Sequence, residues 1–205
     1  MLRGEDATSS PLLSRKVTHM NLNEIKSALP DYAKDLRLNF EAVLGEAGAP
    51  GLTQKQIGLI ALASAIAARH EPVVAALAAF ASDHASAQEL NGARTAAALM
   101  AMNNIYYRFT HVVSESEYGT LRAGLRMNAM ANPGCDKLDF ELCSLAVSAV
   151  NGCGMCMDSH EKNLRKHGLG AQTVQSAVRI AAVVHAVAVT LEQSRAAAEQ
   201  LPAAA

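Results

Sequence analysis

The chain has 205 residues, half of them hydrophobic, with 4 % aromatic residues, no tryptophan and a formal net charge of −1. No Lys/Arg cluster interleaves with aromatics, so nothing marks a surface for nucleic acid or an anionic membrane. An alanine-rich, aromatic-poor interior favours helices packed through small side chains over a sheet, and the length suffices for one domain or two small halves.

Residues 1–19 are polar and aperiodic and read as a disordered extension or an expression or start-site artefact. They contain no continuous apolar run of a signal peptide, so the four cysteines are expected in a reducing cytoplasm. A helical domain is expected over 20–205. Leu22 to Leu29 forms a short helix halted before Pro30, because the residue preceding a proline is pushed out of the α region. Asp31 is expected to cap Tyr32 to Leu44, and residues 45–51 form a loop. Thr53 begins a helix to about His70, with Ile57, Ile60, Ala61 and Ser64 on one face. Further helices fit Pro72 to His84, Ala87 to about Asn103, and Glu115 to Met130, before the loop Asn132-Pro133-Gly134. Asp139 then caps a helix to Asn151, Gly152 breaks it, Cys153 starts another that ends near His167-Gly168, and Ala171 to Glu199 is the last. Its apolar stretch is interrupted by Gln175, Arg179 and His185, so no transmembrane span is read. No segment alternates with period two, and the fold class is all-α.

Shifting the chain by 86 residues lays Leu52-Thr-Gln-Lys-Gln on Leu138-Asp-Phe-Glu-Leu, Leu59 on Leu145 and Ala63 on Ala149. The match reads as a degenerate repeat of a helical hairpin, 52–134 against 135–205. Only the second copy carries chemistry.

That chemistry lies in Cys153-Gly-Met-Cys156-Met-Asp-Ser-His160. If a helix begins at Cys153, then Cys156 and His160 share its face at i+3 and i+4 spacings, placing a base beside a thiol. A helix N-terminus and an imidazole both favour the thiolate, the nucleophilic form. A second thiol three residues away can trap a sulfenic acid as a disulfide. Glu141 lies roughly 16 Å back from Gly152 along the incoming helix and His160 roughly 12 Å along the outgoing one. An antiparallel reversal at Gly152 would therefore bring them to similar depth, as a relay from carboxylate to imidazole to thiol. A zinc site of Cys153, Cys156, His160 and Glu141 stays open as an alternative, although no second C-x-x-C or H-x-x-H pair exists to complete the usual structural set.

The remaining candidates are bland. Cys143, among Leu142, Leu145 and Ala146, reads as a core hydrophobe and Cys135 as a loop thiol. His70, His84, His111, His167 and His185 lack a partner at recognisable spacing. Met100, Met102, Met127 and Met130 read as core or oligomer contact rather than a cofactor site.

From about Met20 onward, on Glu24 to Asn39 with its Ala-Leu-Pro-Asp-Tyr-Ala-Lys-Asp core and on Glu141-x11-Cys153-x-x-Cys156-x3-His160, the chain resembles the AhpD family of the carboxymuconolactone decarboxylase-like superfamily. The resemblance implies an all-helical, often trimeric thiol enzyme that reduces alkyl hydroperoxides without a bound cofactor. It also implies that the enzyme reduces a partner peroxiredoxin, AhpC, and is itself re-reduced by a lipoamide-bearing dehydrogenase component. It further implies that Cys156 forms the sulfenic acid, that Cys153 is proton donor and resolving thiol in a redox disulfide with Cys156, and that Glu141 and His160 are the relay. Members often carry a second histidine directly before the second motif cysteine; here Met155 stands there. A general disulfide reductase without a peroxiredoxin partner is the alternative.

Overall fold

The computed structural model describes residues 20–200, with side chains to residue 196. The expected N-terminal extension, residues 1–19, lies outside the described residues. Ten α-helices are present among the described residues, and no strand: α1 (Leu22–Ala28), α2 (Lys34–Val43), α3 (Gln54–Ala68), α4 (Glu71–Ser82), α5 (Ala87–Val112), α6 (Glu117–Thr120), α7 (Asn128–Ala131), α8 (Lys137–Val150), α9 (Gly154–Lys166) and α10 (Ala171–Gln200). The all-α expectation holds.

At the centre is α3, which packs against α4, α5, α8 and α10. One buried face was expected, yet every residue from Ile57 to Ala65 is buried. An apolar helix without amphipathic asymmetry has to be enclosed on all sides. Gly58 permits a close approach to α4, since a Cβ there would sit 3.0 Å from the Ala81 Cα. Of the ten helices, α10 is long and apolar enough to cross a membrane. Its apolar positions, among them Val174, Ile180, Val184 and Val187, are instead buried in the core it forms with α2, α3 and α8.

Several boundaries differ from the expected ones for physical reasons. Thr53 caps α3 in a capping box with Gln56, as its sequence position implies. Asp31 does not cap α2; it opens a 3-10 turn, Asp31–Ala33, and pairs with Arg37 at 3.1 Å. The first residue of α4 is Glu71, and its N-cap is His70, whose Nδ1 accepts from the Val73 amide. Expected to stop near Asn103, α5 continues nine residues beyond it. Asparagine disfavours a helix interior by competing for backbone, but the Asn104 amide is engaged by α8 and Asn151, as described below. The expected helix from Glu115 to Met130 is absent: only the short α6 and α7 form, separated by an irregular stretch in which Gly124 holds φ +66°. Leu121 there is 55 % exposed, so no burial favours a helix.

Asp139 does not cap α8. Asp136 does, its Oδ1 accepting from the Leu138 and Asp139 amides at 2.8 and 3.1 Å. The Asp139 side chain is 4 % exposed, meets Lys55 Nζ at 2.8 Å and accepts from Gln56 Nε2 at 2.8 Å. Lys55 also bonds Glu89 at 2.9 Å, so one ammonium joins α3, α5 and α8. Its two carboxylate partners raise the Lys55 pKa, and Lys55 together with Ser86 pulls Glu89 down to about 2.

Helix starts fall at 54, 71 and 87 for α3, α4 and α5, and at 137, 154 and 171 for α8, α9 and α10. We propose that these trios are the two copies of the degenerate repeat, in a register of 83 or 84 rather than 86 residues. In that register Cys153 stands opposite His70, and each is the N-cap of its helix.

Lys55→Met should destabilise the fold by about 3 kcal/mol in urea titration, because Asp139 would stay buried without its cation. Glu89 is held below its ordinary value, so its contribution is present at neutral pH and should be lost as pH falls from about 4.5 towards about 2. Stability curves measured across that window should flatten in Glu89→Gln.

Candidate functional site

The local sequence Val147 to Gly154 makes a tight reversal. Asn151 is the C-cap of α8, its amide donating to the Val147 carbonyl at 2.9 Å, and Gly152 follows at φ +69°, a conformation that side chains other than glycine rarely adopt. The Cys153 amide then closes onto the Ser148 carbonyl at 3.0 Å. Cys153 is the N-cap of α9 rather than part of its first turn, and its Sγ accepts from the Cys156 amide at 3.4 Å.

Cys153 and Cys156 are joined as a disulfide, with a Cα–Cα distance of 5.3 Å. Cys153 is fully buried, and Cys156 retains 6 % of its surface. The side chain that reaches open space is therefore Cys156. It lines a cavity of about 320 Å³ together with Met100, Asn103, Tyr107, Met127, Met130, Met155, Ser159 and His160.

The reversal brings Glu141 and His160 to the same depth. Glu141 Oε2 lies 2.7 Å from His160 Nδ1, a direct contact with no room for an intervening water. Both side chains are shielded, at 17 % and 7 % exposure, so the pair interacts away from bulk screening. On its other edge, His160 Nε2 lies 3.3 Å from Met100 Sδ of α5. With the cysteines oxidised, the imidazole thus rests between a carboxylate and a thioether.

The four residues singled out from the sequence are brought together by α8, α9 and the turn between them. Among the described residues, no group of three or more His, Cys, Asp or Glu side chains is placed to hold a metal ion, and the Glu141 carboxylate is already engaged by His160. The other thiols are different. Cys143 is completely buried and its pKa is raised well above the ordinary thiol value by that burial. Burial, followed by the charges of Asp139 and Asp136, also raises Cys135. Both are poorer nucleophiles at neutral pH than an unperturbed thiol.

Sequence reasoning missed the other side of the cavity. Met100, Met127 and Met130 were read as core or oligomer contacts; Met100 is indeed buried, and all three line the cavity beside Cys156. Asn103 was read as a helix end and stands in the same wall. No motif announces these residues, because they come from α5 and from the irregular segment around α7. His185, on α10, is exposed and not part of the cavity lining.

Residues 116–200 match the carboxymuconolactone decarboxylase family. Across nearly the whole described chain there is similarity to proteins named alkyl hydroperoxide reductase AhpD. One from Streptomyces griseus is 53 % identical over 180 residues, 88 % of this chain and 100 % of that protein. Another, from Streptomyces coelicolor, is 54 % identical over 84 % of this chain and 96 % of that protein. A third, from a Bradyrhizobium species, is 52 % identical over 91 % of this chain and 99 % of that protein.

Replacing Glu141 by leucine should cost about 1–3 kcal/mol, since it strips the buried His160 Nδ1 of its partner. Glu141→Gln keeps an acceptor in place and should cost less; urea midpoints of the oxidised proteins measure the difference.

Proposed function

This chain belongs to the carboxymuconolactone decarboxylase family, within its AhpD group, and on that premise we propose that it is an antioxidant alkyl hydroperoxide reductase that works through the Cys153–Cys156 pair. The observation that carries the reading is the position of Cys156: half of a vicinal thiol pair, at a helix N-terminus, on the wall of a largely apolar cavity that it shares with His160. Its chemical complement is an organic hydroperoxide, apolar at one end and reactive at the other.

In the reduced protein His160, oriented by Glu141, takes the Cys156 proton. The Cys156 thiolate attacks the distal oxygen of the hydroperoxide, the O–O bond breaks, and the departing alkoxide takes the Cys153 proton and leaves as alcohol. Cys156 is now a sulfenic acid. Cys153, left as thiolate, attacks Cys156 Sγ; hydroxide departs, takes the proton held on His160 and leaves as water. The balance is two thiols and one hydroperoxide giving one disulfide, one alcohol and one water. Two electrons from an external dithiol restore the pair by thiol–disulfide exchange, and a lipoamide-bearing dehydrogenase component is the donor that the family resemblance suggests. The same dithiol chemistry serves to reduce the disulfide of a peroxiredoxin, AhpC, through a mixed disulfide. Met155 supplies apolar wall where a second imidazole would stand, so acid–base work rests on His160 alone.

We place the enzyme in the cytoplasm, where that reductant is available, and as a homotrimer. Support for self-association comes from Ile105, Phe109 and Val112, an apolar stripe along α5 that is 66, 46 and 72 % exposed. A concentration-independent mass near 21.6 kDa by light scattering would contradict it.

Cys156→Ser should abolish hydroperoxide consumption, because the nucleophile is gone. Cys153→Ser should turn over once and stop, leaving a sulfenic acid that a dimedone-type reagent traps at Cys156. Mass spectrometry finding Cys135 or Cys143 oxidised and Cys156 reduced would refute the assignment. Glu141→Gln and His160→Phe should slow the first step, with the deficit shrinking as pH rises and the thiolate forms unaided. Adding a candidate peroxiredoxin to the reduced protein and peroxide tests the partner: acceleration is expected, and its absence favours a general disulfide reductase.

A further inference from the structure

Two asparagines stand side by side in α5, and only one is accounted for by the fold. Asn104 donates from Nδ2 to Ser148 Oγ and accepts at Oδ1 from Asn151 Nδ2, both at 2.9 Å, which ties α5 to the end of α8. Asn103 is equally hidden, at 3 % exposure, but its Oδ1 has no hydrogen-bond partner, and its Nδ2 has only the Met130 thioether at 3.7 Å. A buried carbonyl oxygen without a donor is destabilising, as is asparagine in a helix interior, so the fold alone gives no reason for this residue.

The orphaned amide stands in the wall of the cavity that Cys156 opens onto. Around it the lining is dominated by the side chains of Met100, Met127, Met130 and Met155, soft and adaptable surfaces for an apolar group of varied shape. At about 320 Å³ the cavity is at the small end of ligand sites. What is missing is one hydrogen-bond donor on an otherwise apolar molecule. A hydroperoxide, R–O–O–H, has its single donor on the distal oxygen, the atom that a thiolate attacks.

We propose that Asn103 is a substrate-binding residue whose Oδ1 accepts the hydrogen of the hydroperoxide O–H, holding the distal oxygen towards Cys156 while the four methionines receive the organic group. The proposal rests on the reading of Cys156 as the peroxide-reducing thiol. It makes the cavity selective for compact organic hydroperoxides, in which an apolar body and the terminal O–H are satisfied together. No electron passes through Asn103; its contribution is orientation of the attacked O–O bond.

The test uses the full chain, reduced, with cumene hydroperoxide and hydrogen peroxide as substrates. Asn103→Leu should lower kcat/KM roughly tenfold towards both, the loss expected for one buried hydrogen bond made with the reacting group. Its melting temperature should stay equal or rise, because an unpaired polar group has been removed, and the pH profile of Cys156 alkylation by iodoacetamide should not move. Met127→Ala should reduce the preference for cumene hydroperoxide over hydrogen peroxide, since the organic group loses part of its seat. Asn103→Ala provides the same reading should the leucine not fit. Wild-type kcat/KM in both Asn103 variants overturns the proposal, as does a loss of activity that comes with a shifted alkylation profile, the mark of a merely structural role. If Cys156→Ser consumes hydroperoxide as fast as the wild type, the underlying reading falls and this proposal with it, an outcome distinct from the other two.

Discussion

The site depends on one reversal of the chain. Gly152 at φ +69° folds α9 back along α8, and two consequences follow. Glu141 and His160, nineteen positions apart, meet at 2.7 Å, and Cys153 becomes the N-cap of α9 with its sulfur over the first turn. A side chain at 152 would strain that conformation. The turn is held from outside as well: Asn104 of α5 bonds both Ser148 and Asn151, and the Arg108 guanidinium donates to the Asn151 carbonyl at 2.6 Å. The turn that leads into the disulfide is thus held in part by a helix that contributes no thiol.

Two kinds of polar grouping stand out inside this alanine-rich bundle. The first, Lys55 with Asp139 and Glu89, joins α3, α8 and α5 in a satisfied ion network. Such a network fixes register more than it adds net stability, since desolvating the charges offsets much of their attraction. The second kind is concentrated around the cavity: the Glu141–His160 pair, the imidazole edge against Met100, and the unpaired Asn103 carbonyl. Of the buried polar atoms without a hydrogen-bond partner among the described residues, Asn103 Oδ1 stands in the cavity wall, whereas Ser144 Oγ of α8 lies in the core away from it.

The cavity is assembled from elements distant in sequence. One wall belongs to α9, the opposite one to α5, and the rim to the irregular segment around α7. Pattern reading takes that segment for one helix from Glu115 to Met130, whereas it forms only the short α6 and α7, with Gly124 at φ +66° between them. Its Met127 and Met130 line the cavity beside Cys156.

The sequence by itself determined the all-helical class, the breaks at Pro30 and Gly152, the Thr53 cap, and the grouping of Cys153, Cys156, His160 and Glu141. Each of these is a local matter of backbone preference, hydrogen-bonding capacity or spacing within a helical hairpin. Only the tertiary structure decided which aspartate caps α8, because Asp136 and Asp139 are both competent caps and the choice turns on Lys55, more than eighty residues away. It also decided how far α5 runs, since Asn104 finds its partners at the end of α8, and which thiol faces open space, since the cavity beside Cys156 is completed by residues of α5 and α7. Local rules constrain what neighbouring residues can do to one another; which groups are left without a partner in the interior depends on what packs against them.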